Sequence, residues 1–145
     1  MTRIARSTLA GLAVAALLVA TPAFAEMMSF KADLKGASEV PPTTSQGTGN
    51  MTMTYDTASK KLAWKGTVSG LSGNATAAHF HGPAEAGKSA GVLVPAPGVT
   101  TGAFDGSATL TDDQAKALMA GQTYFNVHTA ANPNGEVRGQ VVKVQ

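Results

Sequence analysis

Along residues 28–35, apolar and polar side chains alternate without a break: Met28, Phe30, Ala32 and Leu34 against Ser29, Lys31, Asp33 and Lys35. A period of two puts every apolar group on one face of a strand, whereas a helix would scatter the same groups around its axis. The rhythm recurs. Met51, Met53 and Tyr55 alternate with Thr52, Thr54 and Asp56, and Leu62, Trp64 and Val68 are set against Lys65 and Thr67. The polar run Asp56-Thr57-Ala58-Ser59-Lys60 between these two segments predicts a hairpin. Met51 and Met53 are soft enough to bind copper, but the alternation assigns them to a core face.

Gly70-Leu71-Ser72-Gly73 interrupts the pattern, which resumes over residues 75–81, 102–110, 124–129 and 136–144, with a short apolar run at 91–94. Pro133-Asn134-Gly135 is a strong turn signal and predicts that the last two strands form an antiparallel hairpin. One stretch departs from the strand rhythm. Thr111-Asp112-Asp113-Gln114 has the form of a capping box, Ala115, Leu118 and Met119 follow at helical spacing, and Gly121 is a natural stop. The expected fold is therefore all-β, an antiparallel, Greek-key-like β-sandwich or barrel forming a single domain over residues 26–145. One short helix, at about 111–120, would seal an end of the β-core.

The first residues read as a secretion signal. Arg3 and Arg6 form a basic head, residues 9–19 are apolar and rich in Ala and Leu, and Ala23-Phe24-Ala25 fits a cleavage site. The apolar run is short of the ~20 residues of a transmembrane helix, and no cysteine follows it to carry a lipid, so no stable membrane anchor is expected. Residues 1–25 are thus assigned to a signal peptide, with a secreted or periplasmic product beginning at Glu26. Removing Arg3 and Arg6 from the eleven basic residues leaves a chain balanced against its nine acidic ones. Without a basic patch, nucleic-acid binding is not expected. The chain has no cysteine, which removes thiolate metal centres and cysteine nucleophiles. No Gly-x-Ser-x-Gly elbow supports a serine hydrolase.

Imidazole is scarce. Of the three histidines, His79 and His81 sit in Ala77-Ala78-His79-Phe80-His81-Gly82-Pro83 and His128 lies in Tyr124-Phe125-Asn126-Val127-His128-Thr129. On strands, His79 and His81 share a face with Phe80 opposed, and Asn126 and Tyr124 share a face with His128. Three neutral imidazoles suit a transition metal, with copper favoured by intrinsic affinity and zinc as the alternative. The expected ligands are His79, His81 and His128, provided the two strands are neighbours. Asn126 and Tyr124 are possible outer partners, and Glu85 and Glu136 are the carboxylates that could add oxygen. For Glu136 and Arg138 the shared parity on one strand predicts a surface ion pair. The competing reading is an interaction module in which the histidines form a structural hydrogen-bonded cluster and the Gly/Pro-rich loop over residues 82–98 meets a protein partner that the sequence leaves unspecified.

Several segments together resemble the CHRD (chordin-type) domain family. Leu34-x-Gly36-x-x-Glu39-Val40-Pro41-Pro42 is similar to its opening motif, and Gly70-Leu71 with Ala78-His79-Phe80-His81-Gly82-Pro83-Ala84 to its centre. The segment 124–129, with Asn132-Pro133-x-Gly135-Glu136-Val137-Arg138-Gly139-Gln140, is similar to its close. In animals such domains repeat within a secreted antagonist of bone-morphogenetic-type growth factors, a role that a lone copy behind a bacterial-looking leader does not imply. His79-x-His81 with a Gly-rich loop and a later strand histidine is also similar to the copper half of copper/zinc superoxide dismutases. That resemblance implies a copper site on a Greek-key sandwich. The chain departs from the dismutase pattern in lacking a fourth histidine, zinc-loop histidines and a disulfide, so copper-dependent redox chemistry remains only as the enzymatic alternative.

Overall fold

The computed structural model describes residues 24–145. All of the expected leader except its last two residues lies outside them. The described chain forms β1 (Met27–Lys35), β2 (Thr48–Asp56), β3 (Lys61–Ser69), β4 (Ala75–His81), β5 (Val92–Pro95), β6 (Gly102–Thr109), α1 (Asp112–Met119), β7 (Tyr124–Thr129), β8 (Val137–Gln140) and β9 (Val142–Lys143). A single turn of 3-10 helix follows β1 at Gly36–Ser38.

The strands join in one sheet in the order β5-β4-β7-β8-β1-β2-β3-β6, with β9 set against β1. Every pairing is antiparallel. The neighbours β8-β1-β2-β3 place a late strand beside the first of a meander, which is the Greek-key relation expected from the sequence. The sheet curls until its two halves face each other as a nearly closed barrel. Trp64 on β3 meets Phe80 on β4 with ring centroids 5.1 Å apart, and Phe104 on β6 stacks on Phe125 of β7 at 5.9 Å. Phe80 and Phe125, on adjacent strands, are 4.8 Å apart edge to face. These four rings form the centre of a core that includes Phe30, Leu34, Met51, Met53 and Leu62. Both methionines are buried there, as the alternation requires. Trp64 needs room beneath β6, because a Cβ at Gly106 would lie 2.6 Å from its indole ring.

Helix α1 follows β6 and packs Ala115 and Leu118 into the core. Thr111 accepts from the Gln114 backbone N–H while the Gln114 side chain accepts from Thr111 N–H, completing the capping box. The other end of the Gln114 side chain donates to the Leu93 carbonyl on β5 at 2.7 Å, so one residue both starts the helix and ties it to a sheet edge. At the C-terminus, Gly121 adopts φ +72°, and the pair Gly121 N–H to Leu118 O and Gln122 N–H to Ala117 O closes a Schellman motif. The buried face is Ala115, Ala117 and Leu118, whereas Met119 is exposed, so the apolar face is rotated from the one expected.

A second difference concerns the last strand. The expected run at 136–144 is broken at Val141, whose side chain is fully buried and whose N–H bonds to Thr123 O. Before that break β8 lies between β7 and β1, and after it β9 pairs with β1. Among the described residues, no helix is long and apolar enough to cross a membrane.

Because Phe80 is 0 % exposed and touches both halves of the aromatic centre, Phe80→Ala should cost about 3–5 kcal/mol, read as a lower urea midpoint. An exposed strand position such as Lys31→Ala should change the midpoint little.

Candidate metal centre

The aromatic core decides which residues face outward. With Phe80 turned in on β4, His79 and His81 turn out; with Phe125 and Val127 turned in on β7, Tyr124, Asn126 and His128 turn out. The register sets His79 opposite Asn126, His81 opposite Tyr124 and Ala77 opposite His128. Two segments separated by more than forty residues of chain thus place three imidazoles on one face of adjacent strands.

His79 Nδ1 and His128 Nε2 are 3.1 Å apart. His128 Nδ1 lies 2.9 Å from the Pro133 carbonyl, which can only accept, so that nitrogen carries the proton and Nε2 offers its lone pair toward His79. A carbonyl holding the far nitrogen of an imidazole is the usual way a ligand ring is oriented. His81 completes the group, and one nitrogen from each of the three residues lies within 4.8 Å of the others. Tetrahedral nitrogens about 2.0–2.1 Å from one ion stand roughly 3.3 Å apart. The His79–His128 pair already meets that spacing, whereas His81, held by Ala90 O and Asn126, must move to reach it.

The ring of His81 is held on both sides. Nδ1 is 3.1 Å from Ala90 O, and Nε2 is 2.9 Å from Asn126 Oδ1. Tyr124 stacks on it nearly parallel, 4.8 Å between centroids, and carries the Arg138 guanidinium 3.4 Å from its own ring centre. The Tyr124 hydroxyl also meets Ala90, accepting from its N–H and donating to its carbonyl. Arg138 donates to Lys88 O, and Gln140 donates to Ala84 O and Gly121 O. The loop at residues 82–91 is thereby fastened over the outer face of β7 and β8. Burial, followed by the neighbouring His128 and His81 charges, lowers the pKa of His79. Burial also lowers that of His81, although the Ala90 carbonyl and Asn126 oppose it. Both rings are therefore mostly neutral at pH 7, the form that binds a metal.

A domain of this architecture, a curled antiparallel barrel with a histidine triad on its outer face, accords with the comparison to known families. The CHRD domain family model matches residues 30–141, and the chain belongs to that family. No curated protein and no solved structure matches it. All three histidines, with Glu39, Glu136 and Arg138, fall inside the matched region.

The two carboxylates expected near the histidines do not join them. Glu85 is exposed on the loop and outside the cluster. Glu136 is fully buried, and the surface ion pair with Arg138 does not form, because each residue is drawn to different partners under the covering loops. The Glu136 carboxylate accepts from Ser45 Oγ at 2.6 Å, from Ser72 N–H and Oγ at 2.7 and 2.6 Å, from Thr129 Oγ1 at 2.5 Å and from Asn132 Nδ2 at 3.2 Å. It is a knot joining three loops to β7. Parity shows which face a residue takes but not whether a loop covers that face, so Arg138 also escapes a reading of the sequence as a residue of this layer. One signal was available: Arg138 is the single arginine beyond the leader among eight lysines, and a planar, stacked cation is what distinguishes the two.

Burial alone would raise the Glu136 pKa, but the donors from Ser45, Ser72 and Thr129 outweigh it and bring it from 4.5 to about 2. A depressed folded pKa contributes stability that is complete above pH 4.5 and disappears as pH falls through about 2, on the order of 3 kcal/mol in all. Glu136→Gln should therefore unfold at lower urea than the wild type at pH 7, with the gap between the two narrowing as pH falls from 4.5 toward 2.

Proposed function

We propose that this domain is a secreted or periplasmic protein that binds one late first-row transition-metal ion through His79, His81 and His128, with copper favoured and zinc the alternative. The observation that carries the reading is the 3.1 Å approach of His79 Nδ1 to His128 Nε2 between two half-buried rings, with the far nitrogen of His128 held by Pro133 O. Two like groups so close share a hydrogen bond in the metal-free state and become a ready pair of ligands once the bridging proton leaves. The proton moves within the neutral His79 ring from Nδ1 to Nε2, a change of tautomer with no net release; only the imidazolium forms compete with the metal, so affinity should rise with pH until the rings are neutral and then level off. His81 would be the third ligand, giving up one of its two carbonyl neighbours.

Copper is preferred for a reason of intrinsic affinity: a nitrogen site binds Cu(II) more tightly than Zn(II) or the other divalent first-row ions, unless geometry intervenes. Three imidazoles would leave a coordination position for water or a small ligand. The secretion part of the reading rests on the basic head, apolar run and Ala23-Phe24-Ala25 of the leader.

Calorimetric titration of the purified protein with Cu(II) should give one ion per chain with submicromolar affinity, and electron paramagnetic resonance should show nitrogen ligation. His79→Ala should weaken binding by more than the roughly 10–100-fold that loss of an outer partner costs. Absence of both copper and zinc binding at micromolar concentrations would remove the proposal.

A further inference from the structure

Glu39, in the Glu39-Val40-Pro41-Pro42 motif, is buried at 5 % exposure beneath the same outer layer, and no role in the triad accounts for it. Its position relative to His81 suggests one. A Cβ at Gly135, where the backbone has φ +126°, would collide with Glu39 Oε1 and lie 2.6 Å from Asn126 Nδ2. Glycine thus leaves one gap flanked by the Glu39 carboxyl on one side and the Asn126 amide nitrogen on the other. The other end of that amide, Oδ1, is 2.9 Å from His81 Nε2. Asn126 is a two-ended connector, with its nitrogen toward a carboxyl and its oxygen toward an imidazole.

We propose that Glu39 is a positioning residue for His81, selecting through the Asn126 amide which imidazole nitrogen carries the proton. The reasoning follows from donor and acceptor complementarity. An ionised Glu39 only accepts, so it holds Asn126 Nδ2 toward itself and Oδ1 toward His81. That oxygen calls for a proton on His81 Nε2, whereas Ala90 O already receives the Tyr124 hydroxyl. A neutral Glu39 donates, the amide turns over, and its NH2 then faces His81. Nε2 must now accept, and the proton moves to Nδ1, where Ala90 O receives it.

Glu39 can sample both states near neutrality. Burial raises its pKa from 4.5 to about 7, with the Arg138 charge, Asn126 and the Val40 N–H pulling the other way. Arg138, on β8, is the charged group facing it, and β7 contributes only the neutral Asn126. Arg138 forms no ion pair with Glu39, so the carboxyl is not locked in its charged form. Under the metal reading of the triad, on which this consequence rests, the selection decides which His81 nitrogen is bare when an ion arrives.

The tautomer claim is tested without any metal. Two-bond proton–nitrogen spectra of the metal-free, 15N-histidine-labelled protein distinguish the two tautomers, and can be followed from pH 6.5 to 8.5. In the wild type, the His81 pattern should shift from Nδ1–H toward Nε2–H with a midpoint near 7. Glu39→Gln, always neutral, should hold one pattern throughout, and Asn126→Ala should lose the pH response although Glu39 remains. A merely structural Glu39 would destabilise the fold without abolishing the response. A wild-type tautomer that does not change, or a Glu39→Gln protein that still switches near pH 7, overturns the proposal. Failure of copper and zinc to bind would remove the metal reading and leave the tautomer result standing.

Discussion

The packing of Phe80 and Phe125 against Trp64 and Phe104 determines the rest of the structure. Those rings hold β4 and β7 against the opposite half of the sheet, and burying each one contributes about 1.5–3 kcal/mol through removal of apolar surface from water alone. Strand alternation then leaves no choice about the neighbours of those residues. Once Phe80 is inside, His79 and His81 are outside; once Phe125 is inside, Tyr124 and Asn126 are outside. A slip of one residue in β4 would place two imidazoles in an apolar centre and a phenyl ring in the polar layer, which explains why register and site geometry stand or fall together.

The outer face is not simply wet. Loops from residues 36–47 and 82–91 lie over β7 and β8, so the domain has a second, polar layer outside the sheet. Two glutamates show how that layer treats charge. Glu136 is met by hydroxyls, a backbone N–H and an amide, all donors, and its charged form is favoured. Glu39 is as deeply placed, yet its Oε1 has no hydrogen-bond partner, and burial dominates. Both side chains are nearly inaccessible, yet their shifts run in opposite directions, because donors outweigh burial at Glu136 and do not at Glu39. The first group serves stability, and the second is left able to change state.

Much of this was legible in the sequence because it depends on local rules. The alternation of Met28 to Leu34, the 56–60 turn, the Thr111–Gln114 capping box and the shared face of His79 and His81 are all properties of a few consecutive residues, and all appear in the fold. What was not legible depends on pairings remote in sequence. Nothing in residues 75–81 names 124–129 as their neighbour, although the triad exists only if they are. The break at Val141 turns that side chain into the core and its N–H to Thr123 O, a pairing remote in sequence that a run of alternating residues does not reveal. The burial of Glu136 and Arg138 depends on loops whose paths are set by Ser45, Ser72 and Lys88, none of which carries a recognisable signal.

The histidines differ in how firmly they are held, and that difference bears on what the site can do. His128 is oriented by the turn carbonyl of Pro133, and His79 by His128, so this pair is preorganised and needs only the His79 proton to move from Nδ1 to Nε2. His81 is clamped by Ala90 O, Asn126 and the Tyr124 ring, and it is the member that must rearrange to complete a three-nitrogen set. Under the proposed metal reading, two ligands are ready and a third is restrained, so affinity and rate of capture would respond to whatever relaxes that restraint. Ala90 and Asn126 are fastened in turn by Tyr124 and by the gap at Gly135 that admits Glu39. Control over the third ligand therefore lies one layer beyond the histidines, in residues that a list of ligands would omit.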